Sequence, residues 1–88
     1  MESTETRYWS ALDPNSDTAR NILMHVYQAL KTKGYDPVTQ LVGYITTGDP
    51  TYITSHAQAR SMITRVQRDE IVEELVSTYL NKIEESLL

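Results

Sequence analysis

The sequence predicts an all-α fold, a compact bundle of about four amphipathic helices behind a disordered N-terminal tail. Three observations carry that expectation. Apolar residues recur at i, i+3, i+4 and i+7 in four separate stretches, the stripe of a one-sided helix. No stretch of useful length alternates apolar and polar residues as a strand does. The stretches are separated by helix-stopping groups, Gly34 and Gly48 with Asp36-Pro37 and Asp49-Pro50.

Residues 1–15, MESTETRYWSALDPN, are polar and hydroxyl-rich and follow neither period, so they are read as a mobile tail, with 16–88 as the single folded domain. The tail's Tyr8, Trp9 and Leu12 form an aromatic patch able to dock on the folded body or on another protein. The first helix is expected over about Asp17 to Lys33, with Ala19, Ile22, Leu23, Val26, Tyr27 and Leu30 as its stripe. Ser16 or Asp17 caps its start, and Gly34 ends it in a left-handed turn. Asp36 then caps a second helix, with Pro37 at its first position, where the missing N–H costs nothing. Val38, Leu41, Val42 and Ile45 carry it to about Thr46. Gly43 inside it implies the close approach of another backbone.

Tyr52 and Ile53 are expected to plug the core from a short connector. Ser55 with Gln58 three residues on reads as a capping box for a third helix, His56 to Gln67, with Ala59, Met62, Ile63 and Val66 inward. The fourth and longest helix runs from about Asp69 to Glu85. Its apolar stripe through Leu75, Val76, Tyr79, Leu80 and Ile83 is wider than three short neighbours cover, which points to a homodimer through this helix.

Composition removes many functions. A chain of 88 residues hides only about 60–65% of its unfolded surface, so the core is thin and association helps it. With no cysteine there are no disulfides, thiolate nucleophiles or cysteine metal sites, and the reducing cytoplasm is the expected location. No segment has the charge and apolar pattern of a signal peptide or the length of a membrane span. His25 and His56 lack neighbouring ligands at metal spacing, so neither a metal nor another cofactor is expected. Adjacent Glu73-Glu74 and Glu84-Glu85 point about 100° apart on a helix and do not converge for acid–base work. No phosphate-cradling or nucleophile-elbow motif is present, so no enzyme is expected. Tyrosines 27, 35, 44 and 52 at helical spacing read as core rather than as a small-molecule box.

The net charge of −4 is the wrong sign for generic nucleic-acid binding, but the charge is polarised along the chain. Between Pro50 and Arg68 stand Arg60, Arg65 and Arg68 with no acid, whereas Asp69 to Leu88 holds six acids against Lys82. On one continuous helix Arg60 and Arg68, eight apart, share a face. Such a surface suits an anionic partner or the chain's own modified tail, in which Ser3, Thr4, Thr6 and Ser10 are accessible hydroxyls.

Two runs then carry a resemblance. KGYDPVTQLVGYITTGDPTYI, Lys33 to Ile53, and ARSMITRVQRDEIVEELVSTYL, Ala59 to Leu80, are similar to the IreB/ReoM family of small regulatory phosphoproteins of low-GC Gram-positive bacteria. The resemblance implies an all-helical homodimer and a non-enzymatic adaptor. Its tail threonine is modified by a membrane-bound, PASTA-type Ser/Thr kinase and reset by a phosphatase. It implies control of peptidoglycan synthesis and cell-wall antibiotic tolerance, in some members through Clp-protease degradation of a peptidoglycan-synthesis enzyme. The family's threonine followed three positions later by an aromatic falls on Thr6 with Trp9; a second site upstream falls on Ser3, with Thr4 adjacent. Arg60, Arg65 and Arg68 match its basic helix as partner-binding residues, while Ser55 replaces an arginine of the family's Pro-Arg-His. The alternative is a helix-turn-helix regulator that binds DNA through the Arg60–Arg68 helix.

Overall fold

The computed structural model describes residues 18–88 and is all-helical over them. The expected tail therefore lies outside the described residues. Helix α1 is Ala19–Thr32, α2 is Pro37–Thr47, α3 is Ala59–Ile63 and α4 is Arg68–Leu87. Two single 3₁₀ turns, Pro50–Tyr52 and His56–Gln58, link α2 to α3. α1 is the central element: α3 packs along it most extensively, and α4 and α2 flank it.

The stop and start signals work largely as their chemistry dictates, with local corrections. Thr18, not Ser16 or Asp17, caps α1, its hydroxyl accepting from Asn21 N–H at 3.2 Å. At the other end Gly34, at φ +84°, closes a Schellman turn: its N–H donates to Lys31 O, and Tyr35 N–H donates to Leu30 O. Asp36 caps α2 as expected, accepting from Thr39 N–H at 3.0 Å and from the Thr39 hydroxyl at 2.6 Å. These bonds, the hydroxyl's first, lower the Asp36 carboxyl below its ordinary range, with Lys31 a small contributor. α4 begins at Arg68, one residue before the expected Asp69 and directly after its N-cap Gln67, and Glu70 closes its first turn, the carboxylate accepting the Gln67 N–H at 2.9 Å.

The third helix departs most from expectation. The Ser55–Gln58 capping box does not form, because Ala57 and Gln58 adopt left-handed backbone at φ 52° and 63°. α3 therefore starts only at Ala59 and ends at Ile63. Arg65 and Arg68 are consequently not on it, and the shared face inferred from helical spacing does not exist as drawn.

Ten buried apolar residues form the core. α1 supplies Ile22, Leu23, Val26, Ala29 and Leu30; α2 adds Tyr44, α3 adds Ala59 and Ile63, α4 adds Ile71, and Ile53 enters from the connector. Tyr52 does not join them. It stays 37% exposed and lies over Gly43, where any Cβ would overlap its ring. Gly43 thus makes room for a side chain, not for a second backbone, and Gln40 Nε2 fixes the arrangement by donating to Tyr52 O at 2.8 Å.

Candidate functional site

The segment between Ile53 and Ala59 is short, strained and held from outside. Left-handed backbone at a non-glycine residue costs about 1–2 kcal/mol, and two such residues stand in succession here. Two long-range bonds hold the path. His25, half-buried on α1, donates through Nε2 to Ala57 O at 2.6 Å, so a central helix grips the turn at its strained residue. Arg60, on α3, reaches back to donate its Nε to Ile53 O at 2.8 Å. Sequence reasoning missed the role of His25; the only signal was a polar residue at the edge of the α1 stripe.

This turn forms one wall of a surface cleft of about 450 Å³ lined by Pro50, Ser55, Gln58, Arg60, Ser61 and Thr64. Apart from Arg60 these are hydroxyls, an amide and a proline ring. Asp49 beside it is occupied with its own turn, accepting from Thr51 N–H at 3.0 Å and the Thr51 hydroxyl at 2.7 Å. Those two bonds hold its carboxyl below the ordinary range, with a smaller contribution from the Arg60 charge.

The three arginines are placed differently from one another. Arg60 is half-buried at the cleft. Arg68 opens α4 and folds back over Gly48, donating Nη1 to Ile45 O at 2.9 Å, which satisfies a terminal carbonyl of α2. Arg65 is exposed in the turn between α3 and α4, its N–H bonded to Met62 O. The structure therefore brings Arg60 into a cleft and gives Arg68 a bracing function between α2 and α4. The helix on which the DNA reading depends is five residues long.

A second surface is apolar. Ile71 is the one buried residue of α4. Val72, Leu75, Val76, Tyr79, Leu80 and Ile83 are all exposed, continuous with Met24 and Tyr27 of α1. Between α1 and α4 runs a groove of about 400 Å³ whose floor includes Leu23, Met24, Leu75 and Tyr79, with Arg20 and Lys82 at its rim. Soluble single chains rarely expose so continuous an apolar strip without a partner for it.

Thr6 and Thr4, the expected phosphorylation sites, lie outside the described residues, as do Tyr8 and Trp9. Among the described residues no group of three or more His, Cys, Asp or Glu side chains is placed to hold a metal ion, and His25 and His56 are not brought together as ligands. The four tyrosines named from the sequence are dispersed: Tyr44 is buried, while Tyr27, Tyr35 and Tyr52 are exposed. No described helix is long and apolar enough to cross a membrane.

The chain matches the family model described as "IreB regulatory phosphoprotein" over residues 4–81. It is 49% identical over 82 residues to a "UPF0297 protein" of Acetivibrio thermocellus, covering 93% of this chain and 91% of the relative. A protein of the same name from Ruminiclostridium cellulolyticum is 48% identical over 80 residues, covering 91% of each chain. One from Lachnoclostridium phytofermentans is 48% identical over 81 residues, covering 92% of each. The matched region takes in most of the hydroxyl-bearing N-terminal segment, the strained turn with its arginine, and the first two-thirds of α4, and with it the chain belongs to the IreB family of regulatory phosphoproteins.

Proposed function

We propose that this protein is a non-enzymatic, phosphorylation-switched adaptor of the cytoplasm. A PASTA-type Ser/Thr kinase modifies Thr6, with Thr4 a secondary site, and a phosphatase reverses it. The helical body engages its protein partners through a surface that includes Arg60, Arg65 and Arg68. Two copies associate through the apolar face of α4. The output is control of peptidoglycan synthesis and cell-wall antibiotic tolerance, exerted through Clp-protease-dependent degradation of a cell-wall biosynthesis enzyme.

The single observation that carries this reading is the family match, which begins at Thr4 and so includes the Thr6–Trp9 frame as well as the helical body. The physics agrees with it. A phosphate brings about −1.5 to −2 charge to a segment whose nearby body offers arginines, which is sufficient to change what those arginines bind. The exposed strip on α4 gives a small, thin-cored chain a reason to pair.

Incubation of the full chain with the kinase domain and ATP, followed by mass spectrometry, tests the switch. Phosphate on Thr6, and a partner pull-down that changes on modification and not in Thr6→Ala, is the expected result. Absence of phosphate from the first ten residues, or partner capture indifferent to stoichiometric modification, overturns it.

A further inference from the structure

The cleft beside the strained turn has the donors of an oxyanion site. Arg60 uses Nε on Ile53 O, which pins the guanidinium plane and leaves its two η nitrogens for other acceptors, with the Asp49 carboxylate near enough to feel the Arg60 charge. A pinned guanidinium presents a ready fork, the geometry that matches a phosphate with two parallel bonds. The failed capping box adds donors. Since Ser55 and Gln58 do not cap α3, the Ser55 hydroxyl and the Gln58 amide line the cleft beside Arg60. No acid occurs in the sequence from Pro50 to Arg68, and Asp49 is committed to Thr51.

The position of the cleft points to its occupant. Thr18, where the described chain begins, is seven residues along α1 from His25, a rise of about 10 Å. The His25 ring contacts Ala57 O, and Gln58, the next residue, lines the cleft. Thr18, the first described residue, therefore stands about 10 Å of helix rise from the residue that contacts this wall. Twelve residues from Thr6 to Thr18 reach at most about 40 Å, equal to the longest dimension of the described body, 40 Å. A ligand tethered so near has an effective concentration in about the millimolar range, so even a weak fork contact is populated.

We propose that the Arg60 cleft receives the phosphorylated Thr6 side chain of the protein's own N-terminal segment, so that modification withdraws Arg60 from other partners. This rests on the reading that Thr6 is the modified residue. The switch then works by self-occlusion: the unmodified chain leaves the arginine fork open, and the modified chain covers it.

The test uses the full chain made by ligation with phosphothreonine at position 6, compared with the unmodified chain. In ¹⁵N-resolved NMR the expected result is displacement of the Ser55, Gln58 and Ser61 amides and of the Arg60 Nε–H. In ³¹P NMR the second phosphate pKa falls by about half a unit or more from its usual value of about 6. Arg60→Lys keeps a charge but loses the fork and the contact to Ile53, and should abolish most of both signals while circular dichroism stays helical. If Arg60→Lys does not fold, Ser55→Ala with Gln58→Ala serves in its place and should weaken both. Shifts confined to residues 1–17, or a phosphate pKa equal to that of the free phosphopeptide of residues 1–12, overturn the proposal. The two readings fail separately. Docking in the ligated protein with no modification of Thr6 in cells removes the kinase reading and leaves the cleft; modification in cells with an undisturbed cleft removes only the docking.

Discussion

Helices α1 and α4 both carry apolar stripes in sequence, the one on α1 being the more sharply one-sided, yet they meet opposite fates. α1 buries five of its 14 residues and is covered by every other helix, whereas α4, at 20 residues, buries Ile71 alone. The difference lies in what surrounds them. α3 lies along α1, and α1, the longest other described helix, is already enclosed by its neighbours, so no described element is left to cover the outer face of α4. An apolar stripe therefore establishes that a helix needs cover, and it leaves open whether the cover comes from the same chain.

Substitutions can break that contrast at several points. The largest effect is expected on the closed side. Leu30→Ala removes a fully buried side chain from α1 and should cost about 2–5 kcal/mol in denaturant unfolding, a large fraction of the stability of so small a domain. A loss below about 1 kcal/mol would show that α1 is not the centre of the core. Gly43→Ala drives a methyl into the Tyr52 ring and should cost about 1–3 kcal/mol; pairing it with Tyr52→Ala should return part of the loss. Additive losses in that double mutant would mean that the ring is not what Gly43 accommodates.

Ala57→Gly relaxes one of the left-handed positions and should stabilise the protein by up to about 1 kcal/mol, since glycine adopts that backbone without strain. On the open side, Leu80→Glu should change unfolding of the isolated protomer by no more than about 0.5 kcal/mol. It should nevertheless eliminate any dimer in sedimentation equilibrium, and an unchanged dimer would move the pairing surface away from α4. The smallest effect is on pH. Asp36 and Asp49 are depressed by their capping bonds, so their contribution is complete above the ordinary carboxylate pKa of 3.8 and is lost as pH falls through their lower folded values. Asp36→Asn with Asp49→Asn should flatten the acid limb of a Tm–pH profile; an identical limb would show that other carboxylates set it.

Much of the fold was legible because it rests on local chemistry. Asp36-Pro37, Gly34 and Gly48 mark helix ends through hydrogen bonds made within a few residues, and these formed as expected. The Ser55–Gln58 signal was equally local in form and failed. A bond from 32 residues away, His25 to Ala57 O, holds the turn in a backbone that a capping box cannot adopt. The candidate site shows the same division. Arg60, Arg65 and Arg68 were visible as an acid-free basic run, but spacing on one helix misassigned their faces, because the break after Ile63 lies between them.

The sequence by itself determined that the protein is all-helical, where most of its helices begin and end, many of the residues that supply the core, and that its charge is polarised, all of which follow from periodicity and neighbouring side chains. Only the tertiary structure decided that α4 is left uncovered, that Tyr52 rests on Gly43, and that Arg60 is pinned at a cleft beside a strained turn while Arg68 braces α2. Those outcomes depend on which distant groups meet, and no property of a residue's neighbours in sequence specifies that.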